Sequence, residues 1–149
     1  MQDNSVTLHK VFKAPPEKVF SAFSDANAYA SWIPPYGFVG IVDSMDFREG
    51  GSYRMAFMNF TTKKTEYFGG TFREIKENEL LVISDKFDDP SMPEEMTVTI
   101  RFKKNLAGTE LFIEQKNIPP SIPSDFCYLG WQDSLDKLSR LVEPNIPDA

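Results

Sequence analysis

Between residues 37 and 116 the chain reads as one strand-like segment after another, joined by connections too short to hold a crossover helix. This feature constrains the fold most. Parallel strands need a crossover of a dozen residues or more, so neighbouring segments here are expected to pair as antiparallel hairpins. "FVGIVDSMDF" is the first segment. In "GGSYRMAFMNF" Tyr53, Met55 and Phe57 alternate with Ser52, Arg54 and Ala56. "TEYFGGTFREI" follows the polar turn "TTKK", and "ELLVIS" is short and continuously apolar. "MTVTIRF" puts Met96, Val98, Ile100 and Phe102 on one face, and "TELFIEQ" returns after the turn "KNLAG".

Helical patterns flank this run. "SVTLHKVFK" alternates like a strand, and "APPEKVFSAFSD" then starts a helix, with Pro16 in the first turn and Val19, Phe20 and Phe23 at helical spacing. A second short helix is expected from Ala26 to about Ser31, ended by Pro34 and Pro35. Near the C-terminus, Tyr128, Trp131, Leu135, Leu138 and Val142 recur every three or four residues, which predicts one long amphipathic helix. Strands in one block with helices around it indicate an α+β architecture. The 149 residues suit a single domain, 1–149, with its core over about 5–142. Its 13 phenylalanines require a large aromatic core or an aromatic-lined cavity.

Charge and residue usage narrow the function. A net charge of −6 argues against nucleic acid or anionic lipid as a partner. No apolar run approaches membrane-spanning length, and the N-terminus has no apolar signal core. The lone Cys127 excludes an intrachain disulfide and fits a reducing, cytoplasmic setting. His9, the single histidine, lies on the polar phase of the first strand, which argues against a histidine-rich metal site or a serine–histidine–acid triad. Asp88 and Asp89 sit in "KFDDPSMPEE", an acidic loop broken by prolines that reads as a solvated turn. Neither "GGTF" nor "EGGSY" precedes a helix, so no phosphate-cradling turn is seen. No metal and no cofactor is expected.

Three stretches carry a family resemblance: "DANAYASWIPPYGF", "DFREGGSYRMAF" and "GWQDSLDKLSRLVE", with "GTFREI" before "ELLVIS" in support. Their order and spacing resemble the activator of heat-shock protein 90 ATPase homologue-like family, within the START-like (SRPBCC, helix-grip) superfamily. The resemblance implies a curved antiparallel sheet of about seven strands gripping the long C-terminal helix, with two short helices after the first strand. It also implies an apolar cavity between sheet and helix. No shared catalytic residues come with it. Many members have a tryptophan where this chain has Phe20. The co-chaperone that names the family has an additional N-terminal domain, for which this chain is too short.

On that fold "YASWIPPYGF" would stand at the cavity mouth, which explains a loop so rich in aromatic rings. The expected cavity lining is Trp32, Tyr36, Phe38, Tyr53, Met55, Phe57, Gln115, Tyr128 and Trp131, with Gln115 as polar anchor. Gly130 would allow close approach to the helix. An inward-turned Arg54, Arg73 or Arg101 would suit an anionic ligand, and Glu66 and Glu74 are the candidate acids for proton transfer. The first functional reading is binding of a small apolar or amphipathic molecule. An enzyme of polyketide cyclase, dehydratase or hydrolase type could use the same cavity, and a chaperone-regulating interaction module is the third reading. Self-association into a homodimer is left open.

Overall fold

The structure, a computed structural model, describes residues 4–148. In chain order the elements are β1 (Val6–Phe12), α1 (Pro16–Ser24), α2 (Ala26–Trp32), β2 (Phe38–Met45) and β3 (Ser52–Asn59), then β4 (Thr65–Lys76), β5 (Leu80–Phe87), β6 (Met96–Lys104), β7 (Thr109–Lys116) and α3 (Ser124–Val142). The seven strands form one antiparallel sheet in the order β1-β7-β6-β5-β4-β3-β2. Six of them are consecutive hairpin partners, as their short connections require; β1 closes the sheet by pairing with β7. The α+β helix-grip arrangement expected from the sequence is therefore the arrangement found.

Period-two patterning decides which side chains meet the helices. On β6, Met96, Val98, Ile100 and Phe102 are buried while Arg101, Lys103 and Lys104 are exposed. Register irregularities between Val42 and Ser44 and between Phe72 and Glu74 bend β2 and β4, and such bulges increase local curvature. One boundary departs from expectation. β5 does not stop at Ser84 but runs three residues further, pairing Asp85 with Gly70 and Phe87 with Phe68 of β4. β4, at 12 residues, is long enough to hold this extension.

α1 starts at Pro16, where the missing N–H costs nothing. The Asp25 side chain caps α2 by accepting from Ala28 N–H at 3.1 Å. On α3, Leu135, Leu138 and Val142 are buried, as the stripe predicts, Ser134 is buried beside them, and Trp131 is half-buried. Tyr128, expected in the same stripe, is exposed, and so are Phe126 and Leu129 nearby. The start of the helix therefore lies beyond the neighbours that cover its later turns.

One end of the space between sheet and helices is filled. Phe20 and Phe23 of α1 meet Phe102 of β6 edge-on, both at 5.3 Å between ring centroids. Phe23 also contacts Trp32 of α2 at 4.8 Å. Trp32 is completely buried and donates its Nε1–H to the Ala22 carbonyl at 2.9 Å. Edge-to-face rings add to the apolar burial that drives this packing.

Candidate ligand-binding cavity

At the other end the space is not filled. A cavity of about 260 Å³, partly open to solvent, lies between the sheet and the first half of α3. Strands supply one wall: Tyr53 and Phe57 from β3, Phe68 from β4, Ile83 and Phe87 from β5, and Met96 from β6. Helices supply the other: Tyr29 from α2 with Ile33 at its C-cap, and Cys127, Gly130 and Trp131 from α3. Tyr29 and Ile33 are one helical turn apart, so α2 turns both towards the cavity while it directs Trp32 into the filled core. The segment after α2 is clamped to α3. Ser134 Oγ donates to the Ile33 carbonyl at 2.6 Å, Lys137 Nζ donates to the Pro34 carbonyl at 2.9 Å, and Tyr36 donates to Asp136. Two prolines and three long-range bonds give a stiff, preformed wall, which lowers the ordering cost of binding.

One charged side chain lines the cavity among the described residues: Asp85. The residue keeps some exposure, but its Oδ1 is sealed from solvent and has no hydrogen-bond partner among the described residues. Burial pushes its carboxyl from the usual acid range up to about 7; a hydrogen bond from the Tyr53 phenol opposes the shift, and the charge of Glu95 adds to it. Register explains why Tyr53 and Asp85 meet. Tyr53 pairs with Gly70, and Gly70 pairs with Asp85, so the three form one row across β3, β4 and β5. A Cβ at Gly70 would come within 1.7 Å of the Ser84 carbonyl oxygen, so a side chain there is excluded and the row stays open between phenol and carboxylate. Burial, and then the charge of Asp85, push up the pKa of the Tyr29 and Tyr53 phenols and of the Cys127 thiol. All three therefore stay protonated around neutral pH.

Of the nine residues expected to line the cavity, the structure brings together Tyr53, Phe57, Gln115 and Trp131. The other five lie elsewhere. Trp32 and Met55 are fully buried in the core. Tyr36 is spent on its bond to Asp136, Phe38 is partly exposed at the start of β2, and Tyr128 faces outward. Gln115 is already occupied: its Oε1 accepts from Trp131 Nε1 at 2.8 Å, and its amide faces Met96 Sδ at 3.3 Å. It positions Trp131 rather than offering free polar groups. Gly130 lines the cavity, where an added Cβ would have Pro35 as its nearest neighbour at 4.0 Å.

The acids and arginines singled out in the sequence lie outside the cavity. Glu66 pairs with Lys64 at 3.4 Å and Glu74 with Lys76 at 3.7 Å. Arg54 pairs with Asp88, Arg73 pairs with Glu95, and Arg101 is exposed. His9 is bound to Glu110 at 2.7 Å, away from the cavity. Among the described residues no group of three or more His, Cys, Asp or Glu side chains could hold a metal ion, and no helix is long and apolar enough to cross a membrane. Sequence reasoning missed Asp85 and Phe87 because β5 was expected to end at Ser84. The available signal was the alternation Ile83, Asp85, Phe87, which continues the inward phase with one carboxylate inside it.

The comparisons with known proteins agree with this architecture. The family model described as "Activator of Hsp90 ATPase homolog 1-like protein" matches residues 13–143. A solved protein from Chromobacterium violaceum is 44% identical with a TM-score of 0.94, over 95% of this chain and 99% of that one. Two more distant structures show the fold alone. One, from Rhodobacter sphaeroides, has 17% identity and a TM-score of 0.80 over 93% of this chain and 91% of that one. The other, an AHSA1-like protein from Aeromonas hydrophila, has 20% identity and a TM-score of 0.76 over 93% of this chain and 92% of that one. No curated protein matches the chain.

Proposed function

The chain belongs to the Activator of Hsp90 ATPase homolog 1-like family, and from that premise we propose that it binds a small amphipathic molecule in the cavity between the sheet and α3. The observation that carries this reading is a preformed space of about 260 Å³ walled by aromatic and aliphatic side chains, with one buried carboxylate inside it. Small-molecule sites have this composition: mostly apolar, with few polar groups that fix orientation. The cavity would accept the apolar body of the ligand, and Asp85 with Tyr53 would meet its polar end. A reducing, cytoplasmic setting, supported by the lone Cys127, completes the proposal.

The experiment is a thermal-shift and calorimetric titration with 2-phenylethanol, on the parent protein and on Phe57→Trp. Ligand at a hundredfold excess over Kd should stabilise the parent by about 2.7 kcal/mol. Phe57 is half-buried at the cavity wall, so the larger indole should enter empty volume and weaken binding without loss of stability. In a filled site it would cost about 1–3 kcal/mol through overpacking. Such a loss, with no binding by the parent, would contradict the proposal.

A second reading has one specific observation in its favour. A carboxyl pushed up to about 7 inside an apolar cavity that it shares with the Tyr53 phenol has the properties of a general acid or base. The same cavity would then turn over its ligand by proton transfer at Asp85.

A further inference from the structure

Resting on the reading of the cavity as a binding site, we infer that its ligand is a hydrophobic amine, held as a cation by Asp85 and the surrounding aromatic rings. Three observations on the wall carry this. First, Asp85 is its sole charged group among the described residues, while Arg54, Arg73 and Arg101 all lie outside. A carboxylate ligand such as a fatty acid would therefore meet like charge and find no cation. Second, the Gln115 amide and the Ser134 hydroxyl on the same wall are already committed. Gln115 serves Trp131 and Met96, and Ser134 donates to the backbone of Ile33 and Gly130. Asp85 Oδ1 is left as an acceptor without a donor among the described residues. A buried acceptor left unpaired is costly, so a ligand that donates there removes a penalty as well as adding a bond. An ammonium group donates up to three such bonds and adds charge. Third, rings of Tyr29, Tyr53, Phe68, Phe87 and Trp131 share the same wall. Aromatic faces attract a cation more strongly where water is excluded, and they reward an apolar body behind the charged end.

The pH response follows from the groups around Asp85. Gly70 of β4 and Met96 of β6 flank it in the sheet and carry no charge. Tyr53 from β3, Tyr29 from α2 and Cys127 from α3 face it and remain protonated at neutral pH. Glu95, before β6, is exposed and paired with Arg73. Asp85 is thus the cavity group that titrates between acid and neutral pH, and amine binding requires it ionised. Amine affinity should fall by about tenfold per pH unit below neutrality.

The test is a calorimetric comparison of 2-phenylethylamine, 2-phenylethanol and phenylacetate, which share one aromatic body, on the full chain and on Asp85→Asn. The expected order on the parent protein at pH 8 is amine, then alcohol, then carboxylate, with the amine about ten- to a hundredfold tighter than the alcohol. Asp85→Asn should remove the preference for amine over alcohol. If that variant does not fold, the pH profile of amine affinity in the parent protein decides the same question. An alcohol bound as tightly as the amine, a preference retained in Asp85→Asn, or an amine affinity flat from pH 5 to 8 would overturn the inference while leaving the cavity a binding site. Failure of all three compounds to bind would overturn the site itself, and the inference with it.

Discussion

The two ends of the space between sheet and helices are made from the same kinds of residue and differ in what reaches into them. At the filled end Phe20 and Phe23 of α1 meet Phe102 of β6, and Trp32 of α2 packs against Phe23. At the open end the rings that helices supply, Tyr29 of α2 and Trp131 of α3, stand in the wall and leave about 260 Å³ unfilled. Beside Trp131, α3 presents the small Cys127 and Gly130 there, and the rings of Phe57, Phe68 and Phe87 meet edge-on from one strand to the next, 5.0 and 6.1 Å apart. Cys127 and Gly130 of α3 therefore face a volume that stays open, while Phe20, Phe23 and Trp32 close the other end. The polar contrast runs the same way. The buried Thr109 is satisfied, its Oγ1 donating to the Ala14 carbonyl at 2.7 Å, whereas Asp85 Oδ1 at the open end has no partner among the described residues.

Substitutions can break or sharpen this contrast. The largest effect is expected at the filled end, where Phe23→Ala should cost about 3–5 kcal/mol in urea unfolding, because close packing leaves no room to relax. Phe87→Ala at the open end, half-buried against empty space, should cost about 1–2 kcal/mol. Equal losses would erase the distinction.

Asp85→Asn comes next, and its sign depends on pH. The folded carboxyl titrates near 7, above its ordinary value. The folded state therefore binds more protons than the unfolded chain between about pH 4 and 7, and stability from this group is lost as pH rises through that window. Relative to the parent protein, the asparagine variant should gain about 1.4 kcal/mol per pH unit across it, approaching about 4 kcal/mol in all. Unfolding measured for both proteins from pH 4 to 8 checks this; a pH-independent difference would show that Asp85 titrates normally.

The smallest expected effect is at Gly130. Alanine there should stabilise α3 by about 1 kcal/mol in the same unfolding assay, because the added methyl enters the cavity with only Pro35 near it, at 4.0 Å. A loss of stability would mean that the helix approaches its neighbours more closely than this.

Much of the fold was legible because it rests on period. The strand alternation from Tyr53 to Phe57 and from Met96 to Phe102, and the helical recurrence from Trp131 to Val142, each place one face inward. The cavity was legible only in part. Tyr53 and Phe57 follow from alternation, but the loop after α2 takes its side-chain directions from partners far along the chain, as in the Ser134–Ile33 bond across 101 residues. Local pattern cannot show that Tyr36 turns to Asp136 while Tyr29 and Ile33 line the space. Asp85 was hidden for a different reason. In "SDKFDDP" it stands three residues before two further aspartates and a proline, and blends into a polar loop. Its strand conformation comes from the length of β4 beside it, a pairing that no local window contains.

One end of the interface between sheet and helices is an unfilled cavity and the other is a packed core. Backbone amide chemical-shift mapping during titration with 2-phenylethanol tests it most directly. Saturable shifts are expected at Tyr53, Asp85, Phe87 and Gly130, with Val19, Phe23, Phe102 and Leu138 unmoved. Shifts centred on that second group, or none at any concentration, would contradict it.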